Sequence, residues 1–257
     1  KKNFKKFLLI KYDNSDFISS ELSKDVEARM IWGGDNTVNK FKTFVTKPRC
    51  VDLAFANRYS ISIIDSNKLA KLNKPNLIIF AQKFYNDTYI MDQFGCSSPN
   101  SIFWLGKNKV AREQFWFELG KIVNKKYDLG VSGANKKISN LMNFTLNKNH
   151  KLNMDIKNFN LIRLKNKKIN FDNFDNINFG TFIEFELTSI NFLKKYTSEK
   201  LQTITYYGIE FKDIKKFIIK NKVKGIDRIV PIGRAFDLTP EWDGVDIIST
   251  LSRTIAM

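Results

Sequence analysis

The sequence predicts an α/β fold with a largely parallel sheet, on three observations. Short apolar runs rich in Ile, Val and Phe alternate with stretches of helical periodicity along most of the chain. Glycine and proline fall where one pattern gives way to the other. The 43% hydrophobic and 14% aromatic residues are enough for a sizeable core, which excludes wholesale disorder. A length of 257 residues suits one large domain or two ordinary ones, and there is no internal repeat.

The elements follow in order. Residues 29–32 are an apolar run ending in Gly33-Gly34, and Asp35 opens an amphipathic stretch with Val38, Phe41 and Phe44 at helical spacing. That reads as strand, turn, helix. Stretches 50–55 and 61–64 read as strands parted by the polar Asn57-Arg58. Helical character spans 69–84, with Pro75 as a break, and continues over 87–94 into Gly95-Cys96. A strand over 101–105 stops at Gly106, and helices follow over 110–123 and 138–146. The stretch 147–178 is rich in Asn, Lys and Asp and reads as a surface excursion with short strands. Phe159, Phe171, Phe174 and Phe179 require somewhere to pack there. Beyond it, 182–187 and 201–206 read as strands, 209–222 as a helix, 228–232 as a strand and 245–255 as a closing helix.

Composition removes several classes of function. Two cysteines exclude a disulfide scaffold and a thiolate zinc cage, and suit a reducing cytosol. A single histidine, His150, excludes a zinc site built from several imidazoles, so no metal is expected. No apolar stretch approaches the roughly 20 residues of a membrane span. The opening residues are too sparsely apolar for a signal peptide, and a cytoplasmic location is expected. The net charge of +17 can attract polyanions. Its lysines, though, are dispersed, with the densest patches in polar loops or on an amphipathic helix. Lys, Asn, Ile and Phe rise together, as in AT-rich coding sequences. The charge therefore reads as a solvated surface, and nucleic acid is not the expected partner.

The most informative stretch is Gln93-Phe94-Gly95-Cys96-Ser97-Ser98-Pro99. A thiol flanked by Gly and two Ser, ahead of a proline that enforces an extended path, reads as accessible. Backbone N–H groups in such a turn can lower a thiolate pKa and hold an oxyanion. Cys50, beside a strand, reads as structural. Trp32-Gly33-Gly34-Asp35 is the second candidate, since paired glycines before a helix let the backbone approach a phosphate. It lacks the full Gly-rich dinucleotide fingerprint. His150 lies in an Asn/Lys-rich loop, and a Cys–His dyad with Cys96 stays open at this point.

Five segments together carry a resemblance: WGGD at Trp32, DLAFANRYSISIID from Asp52, DQFGCSSP from Asp92, LQTITYYG from Leu201 and DRIVPIGRAFDLTPEWDGVDIISTLSR from Asp227. In sequence and in order they resemble the LuxC-type acyl-CoA reductases, a branch of the aldehyde dehydrogenase superfamily. The resemblance implies an aldehyde-dehydrogenase-like catalytic domain over 49–257, carrying the thiol. Residues 1–48 would then be the C-terminal remnant of a nucleotide-binding domain, and the chain the C-terminal part of a longer protein.

By the same resemblance, Cys96 is the acyl-accepting nucleophile and the cofactor is NADPH, held around Trp32, Gly33, Gly34 and Asp35. Ser97, Ser98 and Trp242 would contact the substrate. The reaction implied is reduction of a fatty acyl thioester to an aldehyde. The acyl donor would be acyl-CoA, or an acyl-carrier protein or acyl-protein synthetase, and a homo-oligomer is compatible. Aldehyde-oxidising relatives carry a Glu-Leu-Gly-Gly-Lys segment whose Glu activates the deacylating water. Here the stretch reads Asp52-Leu53-Ala54-Phe55-Ala56-Asn57-Arg58, without Glu, which suits a reductase, with Asp52 open as an alternative base. The competing readings are a cysteine acyltransferase or thioesterase using Cys96 and His150, and a non-catalytic basic module that binds polyanions.

Overall fold

The structure is a computed structural model that describes residues 7–146, 153–165 and 177–256. His150, Phe171 and Phe174 lie outside the described residues. The chain divides into two compact units. One comprises the residues up to Asn57 and those from Ile247 onward, the other Arg58–Asp246. β2 belongs to the first because it pairs with β1, so the first unit runs on to Asn57.

In the first unit, α1 (Asp16–Asp25), which the periodicity does not reveal, starts on the Ser15 cap. It is followed by β1 (Ala28–Trp32), α2 (Asp35–Thr43) and β2 (Val51–Phe55). β1 and β2 are parallel, with Arg29 opposite Asp52 and Trp32 opposite Phe55. The expected closing helix is reduced to α8 (Ile247–Leu251). Val245 and Asp246 are instead spent on a hairpin strand of the second unit.

The second unit is built on a seven-stranded sheet. Its strands are β3 (Tyr59–Asp65), β4 (Pro99–Leu105), β5 (Asn153–Asn158), β6 (Leu161–Lys165), β7 (Thr181–Glu186), β8 (Leu201–Tyr207) and β9 (Arg228–Pro231). The order is β5-β6-β7-β4-β3-β8-β9, and only the edge strand β5 is antiparallel. A parallel strand covered on both faces is apolar on both, which is why Tyr59–Ile64 and Pro99–Trp104 are buried without a break. Successive side chains still part: Ile102 and Trp104 join the core beneath α4 (Lys74–Thr88) and α5 (Lys109–Lys126). Phe103 joins the opposite core with Phe144 of α6 (Gly130–Leu146) and with Ile214 and Phe217 of α7 (Phe211–Asn221). A short helix, α3 (Ser66–Leu69), precedes α4.

Three expectations change. The helix expected over 69–84 is two helices, and Pro75 opens the second instead of breaking one, because a proline in the first turn forfeits no hydrogen bond. Helical structure ends at Thr88, since Asp92 and Gln93 take positive φ of 51° and 62°. The excursion contributes an interior strand: Leu161–Leu164 of β6 are all buried. Of the phenylalanines expected to pack there, Phe179 is buried and Phe159 is exposed.

Candidate active site around Cys96

Cys96 precedes β4, which puts it at the N-terminal edge of the parallel strands. One residue organises that edge. Both neighbours of β3 slip register at Ser60, a bulge in the central strand. The Ser60 hydroxyl fills the gap, donating to the Cys96 carbonyl at 2.5 Å and accepting the Thr203 N–H at 3.1 Å. The starts of β3, β4 and β8 are thereby tied to the thiol turn.

The turn is locked from beneath. Ser98 donates its hydroxyl to the Asp87 carbonyl at 2.8 Å. The buried Asp87 carboxylate accepts the N–H groups of Gly233 (2.6 Å) and Ala235 (3.0 Å). The segment 231–244 thus returns to Cys96, and the Phe236 ring lies so close to Gly95 that a Cβ there would meet it at 2.6 Å. Burial raises the Asp87 carboxyl to about 6, against the two N–H bonds that favour its charge.

Arg58 sits at the centre of the polar contacts. Its guanidinium donates to the carbonyls of Lys200, Leu201 and Gly225 and to Asp227 Oδ2 at 2.6 Å, and lies 3.8 Å from Asp243 Oδ1. Gln202 Nε2 also donates to Asp243. Cys96 is half-buried, and that burial, followed by the Asp243 charge, pushes its thiol up. The backbone N–H of Arg58, the Arg58 charge and the backbone N–H of Cys96 pull the other way. The low-pKa thiolate expected from the turn alone is therefore corrected, because desolvation and a carboxylate outweigh those N–H groups.

Other expected contacts also shift. Ser97 and Ser98 are each 2% exposed, and the Ser98 hydroxyl holds the turn through the Asp87 carbonyl. Trp242 is half-buried, with the Arg228 guanidinium 5.1 Å over its ring, so one face is already covered. Asp52 is no free base: both of its carboxylate oxygens take hydrogen bonds from Arg29 across the β1–β2 pair. Among the described residues, no cluster of His, Cys, Asp and Glu converges on a metal position. No helix among them is long and apolar enough to cross a membrane.

Comparisons with known proteins decide the family. The LuxC family, described as acyl-CoA reductase, matches residues 8–158, more than half of the chain and including Cys96. The chain belongs to the LuxC family. Among solved structures, an NAD-dependent aldehyde dehydrogenase from Sinorhizobium meliloti is similar at 11% identity and a TM-score of 0.58, over 87% of this chain and 47% of that one. Aldehyde dehydrogenase 21 from Physcomitrella patens, solved with the product succinate, is similar at 8% identity and a TM-score of 0.60, over 89% and 49%. These likenesses establish an aldehyde-dehydrogenase-like fold, and the chain spans about half the length of the structures it matches. No curated protein matches.

In this LuxC chain, the Trp32–Asp35 segment joins β1 to α2, as the sequence predicts. Gly34 caps α2 without a side-chain hydrogen bond of its own. The two glycines differ in kind. A Cβ at Gly33 would strike the Thr37 side chain at 2.8 Å, whereas one at Gly34 would meet only Asn57 at an ordinary 3.6 Å. Gly33 is needed for packing, whereas a Cβ at Gly34 would fit against Asn57 without a clash. Asp35 accepts the Asn57 N–H at 3.1 Å, and Trp32 is exposed and stacks on Phe55. Sequence reasoning missed Arg58, Ser60, Asp87, Gln202 and Asp243. Only Asp243-Gly244 carried a local signal, as a two-residue hairpin turn.

Proposed function

We propose that this chain carries the acyl-accepting part of an enzyme that reduces a fatty acyl thioester to an aldehyde, with NADPH as reductant. The carrying observation is the Cys96 site: a half-buried thiol at a turn tied by the Ser60 hydroxyl to the Cys96 carbonyl and by the Ser98 hydroxyl to the Asp87 carbonyl. Cys96 attacks the thioester carbon, and the covalent acyl-enzyme divides one hard step into two easier ones. Backbone N–H groups of the turn are the available donors for the developing oxyanion. The missing Glu leaves no hydrolytic base in the segment where oxidising relatives place one.

NADPH would be held at the start of α2 by the backbone of Gly33 and Gly34, with Trp32 and Asp35 flanking it; when bound, it supplies hydride to the acyl carbon. The acyl donor is acyl-CoA or an acylated carrier protein or acyl-protein synthetase, and Trp242 contributes its uncovered face to the acyl side. Incubation with octanoyl-CoA tests the reading. Free CoA thiol should appear in proportion to wild-type chain and be absent with Cys96→Ser. Release that persists undiminished in Cys96→Ser would refute it.

A further inference from the structure

Between α4 and β4 the chain passes through Asp92 and Gln93, whose φ of 51° and 62° lie in the left-handed region that strains most side chains. A second strained loop faces them. Asn178, Phe179 and Gly180 take φ of 35°, 56° and 70° immediately before β7. Such conformations persist only where surrounding contacts over-determine them, so the contacts identify what the strain is for.

Those contacts run from one loop to the other. The Phe179 N–H donates to the Asp92 carbonyl at 3.0 Å, and the Phe94 and Phe179 rings meet edge to face at 5.1 Å. Gln93 makes most of the junction. Its side chain is buried, and its Oε1 accepts the N–H groups of Gly180 (2.7 Å) and Thr181 (3.1 Å). Its Nε2 donates to the carbonyls of Pro99 and Thr181, each at 3.3 Å. A glutamine amide has two N–H groups and two acceptor positions, and these four bonds use them all. The approach requires glycine at 180, because a Cβ there would meet the Asn160 carbonyl oxygen at 2.2 Å.

Pro99 is six residues beyond Gln93 and begins β4, so this amide closes a loop that has Cys96 at its midpoint. The Ser60 and Ser98 hydroxyls hold the same loop from β3 and α4. Gln93 alone ties its two ends to each other and to the start of β7. Stability by itself would be better met by glycine, which adopts such a φ without strain. What a long amide adds is the span from 180–181 to 99.

We propose that Gln93 is the positioning residue of the thiol turn, an inference that rests on Cys96 being the acyl acceptor. By fixing the ends of 93–99 against β7, it holds the Cys96 sulfur and backbone N–H in the arrangement that attack on a thioester carbonyl requires. Gln93 makes and breaks no bond; it spares the turn the reorganisation that acyl transfer would otherwise demand.

The test uses the full chain with Gln93→Met, which keeps the length of the side chain and removes its hydrogen bonds. Three quantities are followed on folded protein: the urea midpoint, alkylation of Cys96 by iodoacetamide, and acylation of Cys96 against octanoyl-CoA concentration, the last two by peptide mass. Alkylation asks only for an ionised, reachable thiol, whereas acylation also asks for the geometry of a tetrahedral intermediate. The maximal acylation rate should fall by about a hundredfold, the loss that a displacement of roughly 1 Å produces. The half-saturating octanoyl-CoA concentration and the alkylation rate should stay close to those of the wild type. A purely structural glutamine would lower the urea midpoint and leave the maximal rate of the folded chain unchanged, and that result overturns the proposal. Acylation and alkylation lost in equal proportion overturn it too. If Gln93→Met fails to fold, Gln93→Asn is read the same way, since Asn tolerates the left-handed backbone and its shorter side chain cannot span both partners. A wild-type chain whose Cys96 takes no acyl group overturns the acyl-acceptor reading instead, and this proposal with it.

Discussion

Lys137 shows how a single residue can set a pH dependence away from the thiol. It lies on α6 without solvent exposure, its Nζ donates to the Phe179 carbonyl at 2.6 Å, and it sits 5.2 Å over the Phe159 ring. Burial lowers its pKa from 10.5 to about 7. The folded chain therefore binds this proton more weakly than the unfolded chain does. The contribution of Lys137 to stability is complete above the unfolded value and is lost as pH falls through about 7. Urea midpoints should accordingly rise between pH 7 and 10 in the wild type and rise less in Lys137→Met. Parallel profiles for the two proteins would contradict this. Nothing at position 137 of the sequence signals burial, whereas Cys96 was legible from its Gly and Ser neighbours. Its surroundings were not legible, because Arg58, Gln202 and Asp243 come from three distant segments and only the sheet brings them together.

At the scale of elements, α4 and the segment 231–244 are joined through one carboxylate. Replacing Asp87 by Ala would leave the N–H groups of Gly233 and Ala235 without their acceptor in a buried setting. The expected cost is about 2–4 kcal/mol, read as a lower urea midpoint with earlier proteolysis within 231–244. An unchanged midpoint would show that the segment is held by other means. Strand and helix types were legible wherever a buried run or a clean period stood alone, as in β3, β4 and α5. The failures have physical causes. Pro75 is compatible with a first turn as well as with a break, and the periodicity over 87–94 continues past the point where Asp92 and Gln93 leave the helical region. β6 is five residues within a polar stretch, and its burial follows from pairing with β7, not from local composition.

At the scale of the whole molecule, a parallel sheet with helices on both faces supplies a rigid edge, and the thiol turn, the Ser60 bulge and the Asp243 hairpin are fixed to it. The chain has two cysteines, both free, and neither is fully buried. Selectivity between them therefore depends on what surrounds each sulfur. The Cys96 thiol is pushed up by burial and by the Asp243 charge, with the Arg58 charge opposing. Cys50, just before β2, has a 4.0 Å contact from its sulfur to the Val51 carbonyl and feels the Arg29 charge. Peptide mapping by tandem mass spectrometry after incubation with octanoyl-CoA separates the two directly. The acyl group is predicted on the peptide containing Cys96 and absent from that containing Cys50, whereas acyl groups on Cys50, on both cysteines alike or on neither would contradict the assignment of Cys96 as the acyl acceptor.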